Sequence, residues 1–284
     1  MRISEWIQAG FAIILALAAW FSPLPDRRRV AVTLLALIAV VAIALGRLSI
    51  FVLSPESASI LRDWLPVPLT LIPYWQTGQF FLSPNPKIQS WLLSSDHALF
   101  GMAARTGIQV SPSVRLTMEW AYALCYPLVP LGLAVLYFAG LRRYADVFWF
   151  NVLAPTYLCY AITPFFPALP PRDLESGPRR SKSRVFNLWI LEHGSIHAIS
   201  FPSAHVASAL GVALVLLHYL PVAGVISLVI GFWIGVAAVV GRYHYTLDVV
   251  LGALVTLLIY AAWAAHLIPS TFFTAPAMSF AALP

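Results

Sequence analysis

Long apolar runs separated by short polar or basic clusters set the pattern of this chain. A helix needs about 20 apolar residues to cross the hydrocarbon layer of a bilayer. Seven windows meet that requirement: 5–24, 30–53, 117–140, 146–166, 202–220, 223–241 and 244–266. An eighth stretch, LRDWLPVPLTLIPYWQTGQFF at 61–81, carries Arg62, Asp63 and three prolines, each of which removes a backbone donor. It is predicted to be a broken segment that does not cross. In KIQSWLLSSDHALFGM, residues 87–102, the side chains Ile88, Trp91, Leu92, Leu99 and Met102 fall near one helical face, which predicts an amphipathic helix lying flat at the interface. The expected fold is an all-α polytopic membrane bundle of about six to eight spans. Its amino-terminal spans cover 1–55, and a membrane domain covers 56–284 with its core at 146–266.

Composition agrees with this picture. The chain is 60% hydrophobic and 10% charged over 284 residues, whereas a soluble domain carries roughly a quarter charged residues. The net charge of +6 comes from scattered clusters such as DRRR at 26–29 and LRRY at 141–144. These read as topology signals, not as a nucleic-acid footprint. With 61–81 uncrossed, Arg27 to Arg29 and Arg142 with Arg143 both face the cytoplasm, the first span starts outside, and the polar loop 168–200 is extracytoplasmic at the cell membrane. DRRR follows the first window, the wrong flank for a cleavable signal, so that span is read as retained. Cys125 and Cys159 lie in apolar stretches without metal-ligand spacing and read as packing residues. Nothing in the pattern fixes an oligomeric state.

The chemistry concentrates at the starts of two late windows. FPSAHVAS at 201–208 and GRYHYTLDVVLG at 241–252 place His205 and His244 39 residues apart (244 − 205), the length of two crossings of about 20 residues each. Both therefore reach one face. Asp248 follows His244 by four residues, where its carboxylate can orient the imidazole and leave the other ring nitrogen free. An aspartate in an apolar run is costly and usually functional or paired. Arg172, in TPFFPALPPRDL, falls on the same side, and its planar donors suit a phosphate. Pro202 at a helix start leaves the amides of Ser203 and Ala204 unpaired and facing an anion. Together these groups describe a phosphate site.

The motifs PSAH (202–205) and HYTLD (244–248) resemble the second and third signatures of the type 2 phosphatidic acid phosphatase superfamily, membrane enzymes that cleave or transfer phosphoryl groups on lipids. The likeness is strongest to the branch that contains the inositol phosphorylceramide synthases, whose first motif FPALPPR (166–172) also resembles. LIPYWQ and SSDHALFG are more loosely similar, so the resemblance covers roughly 60–266. Where the wider superfamily has a lysine seven residues before the first-motif arginine, this chain has Phe165, and Asp173 replaces the usual proline. Ala238 stands where an arginine precedes the third-motif histidine, with Arg242 nearby. The resemblance implies that His244 attacks phosphorus to give a phosphohistidine, Asp248 fixes its tautomer, and His205 protonates the departing oxygen and then activates water or an acceptor hydroxyl. Arg172, Arg242 and the Ser203 and Ala204 amides would hold the phosphate oxygens. The scheme needs no metal or other cofactor, and its partner is a lipid phosphate in the bilayer.

Other polar groups have blander readings. EHGSIH (192–197) reads as loop polarity, and RRSKSR (179–184) either attracts anionic headgroups or is a solvated loop. Arg47, Asp146 and Asn151 read as interhelical bonds or end anchors. Glu119, Tyr122 and Tyr126 share one face of the third window and are candidates to line the site. Three functions remain open at this stage: lipid phosphatase, headgroup phosphotransferase, and a non-catalytic lipid-binding protein or transporter.

Overall fold

The computed structural model of the chain describes residues 1–100, 111–174, 182–269 and 273. Among them there are helices and no strands. They are α1 (Ile3–Phe21), α2 (Asp26–Leu48, prolonged by a 3-10 turn), α3 (Pro55–Trp64), α4 (Pro66–Leu69), α5 (Leu71–Gly78) and α6 (Pro86–Phe100), then α7 (Pro112–Ala123), α8 (Leu128–Phe138), α9 (Ala145–Ile162), α10 (Lys182–Gly194), α11 (Ala204–Tyr219), α12 (Pro221–Val240) and α13 (Thr246–Ala264). The fold is an all-α polytopic helix bundle, as the apolar windows predict.

The centre is made by α9 and α11. Helix α11 packs on α8, α9, α12 and α13, and α9 also meets α1 and α13. Among the described residues, α1, α2, α12 and α13 qualify as spans by length and apolarity alone, with α7 and α8 adding a fifth if taken together. The two central helices miss for a physical reason. They are surrounded by protein, so α11 can be short at 16 residues and α9 can carry buried Asp146, Asn151 and Thr156. Their backbones touch where Gly211 faces α9, since a Cβ there would lie 2.3 Å from the Asn151 carbonyl oxygen. The window 117–140 is not one straight span either. It bends by 68° between α7 and α8, with Pro127 at the start of the second helix.

One sequence expectation is corrected and another refined. The stretch 61–81 does break at its prolines, into the end of α3, α4 and α5, yet it runs the length of the α1–α2 hairpin. At one end Arg2 donates to Asp63 and to Ser59. Midway, Gln76 donates to the carbonyls of Ala12 and Val32 at 3.1 and 2.9 Å. At the far end Arg28 donates to the carbonyls of Gln79 and Phe81. The segment is thus a discontinuous traverse, held to the hairpin by bonds in both directions: Gln8 and Arg28 donate to its carbonyls, and Gln76 donates to those of α1 and α2. Arg142, which donates to Asp63 at 2.7 Å, stands at the end opposite Arg28. The two basic clusters do not share a face, and the ground for placing 168–200 outside falls with that premise.

The refinement concerns 87–102. A helix forms there as α6, but its buried line runs through Leu92 and Asp96, while Trp91 and Leu99 are exposed and Met102 lies outside the described residues. It packs against α13 instead of presenting a purely apolar face.

Asp63 is buried and accepts from Arg2, Arg142 and Tyr137. Removing one partner of a buried charged network costs about 3–5 kcal/mol. Asp63→Ala is therefore expected to lower the unfolding midpoint of the purified protein markedly in a thermal scan. The traverse by 59–81 predicts that Ser22→Cys and Ala139→Cys, tested separately in intact cells with a membrane-impermeant thiol reagent, behave oppositely. Labelling of both, or of neither before lysis, would contradict it. The native Cys125 and Cys159 are buried and contribute little background.

Candidate active site

The turn between α12 and α13 carries the first histidine. The amides of Tyr243 and His244 both donate to the Ala238 carbonyl, at 2.8 and 3.0 Å, and Arg242 takes a left-handed φ of 61° to close the turn. His244 is buried, and its Nδ1 lies 3.0 Å from Asp248 Oδ2 one helical turn on. When Asp248 is ionised its carboxylate can only accept, so in that state Nδ1 carries the proton and Nε2 keeps a free lone pair. Burial, and after it the Arg172 charge, holds the His244 imidazole down to about 3, which favours the neutral, nucleophilic form.

His205 occupies the first turn of α11, where Ser203 is the N-cap and its side chain accepts from the Val206 amide at 3.4 Å. The two imidazole centroids are 5.7 Å apart. The His205 Nδ1 is buried without a hydrogen-bond partner, so a titratable nitrogen is unengaged. Tyr122 and Tyr126 flank the ring at centroid distances of 6.2 and 6.0 Å and form one wall of the site.

Arg172 lies in a 3-10 turn after α9, its amide bonded to the Arg242 carbonyl at 2.9 Å. Its side chain is largely buried, its nearest acidic oxygen is Asp173 Oδ1 at 3.6 Å, and its charge bears on His244. The structure therefore brings His205, His244, Asp248 and Arg172 together.

Three expectations come out differently. The Ser203 amide is not free, because it donates to the Asp248 carbonyl at 2.9 Å. The cause is close packing: a Cβ on Gly252 would lie 2.4 Å from the Ser203 carbonyl oxygen, so the start of α11 leans directly on α13. Arg242 is buried and donates to Asp96 Oδ2 at 3.0 Å, while the other oxygen of Asp96 takes the Thr246 amide at 2.9 Å. Glu119 does not face the histidines. It accepts from Arg184 at 3.1 Å, Asn187 at 2.7 Å and Tyr243 at 2.6 Å. Arg184, at the end of the basic run, is thus neither a solvated nor a headgroup residue, and 179–181 lie outside the described residues.

Asp96 and the Glu119–Arg184 pair are site-supporting groups that periodicity missed. The signal was present for Asp96, a carboxylate beside the apolar face of a membrane-associated helix. Gln89 is another: it bridges the Tyr245 hydroxyl at 2.6 Å and the Leu169 amide at 2.8 Å, tying the first-motif loop to the turn. In EHGSIH, His193 and His197 are exposed, and among the described residues no group of three or more His, Cys, Asp or Glu could hold a metal ion.

No curated protein and no solved structure matches the chain. The sequence model of the PAP2 superfamily, by contrast, matches residues 90–262, more than half of the chain and all of the residues just described from Asp96 to Asp248. The chain belongs to the PAP2 superfamily.

Proposed function

We propose that the protein is a membrane phosphatase that hydrolyses a phosphate or diphosphate ester of a lipid through a phosphohistidine. Superfamily membership supports phosphatase or phosphotransferase activity on lipid phosphates. The observation that carries the finer reading is the His244–Asp248 pair, with its free Nε2, facing His205 beside the Arg172 guanidinium.

In this reading His244 Nε2 attacks phosphorus and the bond from phosphorus to the lipid oxygen breaks. Negative charge on the bound phosphate favours the protonated form of His205, which gives its proton to the departing oxygen. Asp248 stabilises the positive charge that develops on the His244 ring. Water then attacks the phosphohistidine while His205 takes its proton, and inorganic phosphate leaves. Arg172 and the Ala204 amide hold the non-bridging oxygens, where electrostatic stabilisation supplies most of the catalysis. Arg242, already paired with Asp96, fixes the turn that carries His244. Transfer to a lipid hydroxyl, as in the inositol phosphorylceramide synthase-like branch, differs only in the acceptor of the second step.

Purified protein assayed on lipid phosphates and diphosphates is expected to release phosphate, and His244→Ala to lose about 1,000-fold or more of kcat/KM. Equal release by both proteins would sink the assignment in favour of a non-catalytic lipid-binding role. Release that requires an added lipid alcohol would move it to transfer. A charge-assisted hydrogen bond to phosphate is worth about 1.5–3 kcal/mol, so Arg172→Ala is expected to weaken inhibition by inorganic phosphate roughly 10- to 100-fold. Arg242→Ala is expected to lower kcat with a much smaller change in that inhibition. An equal loss in the two variants would put both guanidinium groups on the phosphate.

A further inference from the structure

Helices α12 and α13 both pack on α11 but touch each other little, so they splay apart and leave α11 as the floor of a cavity of about 640 Å³. Its walls are apolar. On α12 it runs from Val240 to Leu228, 12 residues (240 − 228), or about 18 Å at the helical rise. Two glycines on that wall, Gly231 and Gly235, keep it open. A Cβ added at Gly231 would meet nothing nearer than Ala209 at 3.8 Å, so the space is not filled by neighbouring packing.

One end of this groove adjoins the catalytic residues. Val206 follows His205 in the first turn of α11, while Thr246 and Val249 bracket Asp248 in the first turn of α13. Thr246 is the polar residue of the lining, and its Oγ1 is buried without a hydrogen-bond partner although its amide is held by Asp96. A buried hydroxyl left unpaired is costly unless a ligand group completes it.

We propose that this groove is the seat of one hydrocarbon chain of the lipid phosphate, entering sideways from the bilayer, with Thr246 bonding the ester or hydroxyl oxygen nearest the headgroup. The inference rests on the proposed function for the headgroup end and adds where the tail lies. A second copy of the chain is a poorer occupant, because the polar atom of the lining that lacks a partner, Thr246 Oγ1, lies at the end beside the His244 turn. Since a tail leaves hydrocarbon to enter hydrocarbon, the groove gains little from the hydrophobic effect. It contributes contact and alignment, which orient the phosphate for in-line attack, and the expected effect on rate is several-fold.

The test uses the full chain in phosphatidylcholine vesicles containing a diacylglycerol phosphate with a diazirine at the middle of one chain. Photolysis is expected to label α12 between Leu228 and Val240 and α13 near Val249, and unlabelled diacylglycerol phosphate is expected to compete. Labelling of equal extent by a phosphatidylcholine bearing the same diazirine would show ordinary annular lipid and overturn the proposal, as would labelling confined to other helices. In a kinetic arm, Gly231→Leu is expected to lower the ratio of kcat/KM for long-chain over short-chain lipid phosphates about fivefold, with Gly10→Leu on α1 leaving it unchanged. An unchanged ratio in Gly231→Leu would also overturn it. Groove labelling in a wild-type protein that hydrolyses no lipid phosphate would count against the catalytic reading and leave the groove standing.

Discussion

Asp96 governs the geometry of the candidate site. One of its oxygens takes the Arg242 guanidinium and the other takes the Thr246 amide, so the residues two before and two after His244 are both fixed by a single buried carboxylate. The Arg242 carbonyl in turn receives the Arg172 amide. A path of two bonds thus runs from α6 through Arg242 in the α12–α13 turn to Arg172, with the Thr246 amide as a branch. In a low-dielectric interior such a pair is tolerated only when each charge is fully partnered, and that condition gives the arrangement its single register.

The same solution appears twice more. Glu119 gathers Arg184, Asn187 and Tyr243 on the other side of the turn, and Asp63 gathers Arg2, Arg142 and Tyr137 at the far end of the bundle. Each carboxylate joins helices distant in sequence. Most of the bundle packs through apolar surfaces that lipid could cover equally well, so these polar knots supply specificity that apolar contact in a membrane does not.

The helices of the late half were legible because their apolar runs match the thickness of a bilayer, and the histidines because two crossings return the chain to one face. Asp248 was legible from its four-residue spacing to His244. The traverse by 61–81 was not, since three prolines argue against a continuous helix and nothing local reveals that Arg28 bonds its carbonyls while Gln76 bonds those of α1 and α2. The roles of Asp96, Glu119 and Arg242 were hidden for a related reason. Asp96 and Arg242 are 146 residues apart, and Glu119 lies 65 and 124 residues from Arg184 and Tyr243; periodicity carries no information about such pairings. The Ser203 amide was misjudged because the general rule for helix starts assumes open space, and Gly252 removes that space.

That contact has a mechanical meaning. The start of α11 is bonded to α13 through the Ser203 amide and the Asp248 carbonyl, and the Thr256 hydroxyl bonds the Ala207 carbonyl one turn further along. The helix bearing His205 and the helix bearing Asp248 are thus riveted together beside the site. The gap between His205 and His244 is therefore a fixed gauge. On the proposed chemistry, a bulkier leaving group has to be accommodated by the wall without rivets, where Tyr126 stands at the corner between α7 and α8.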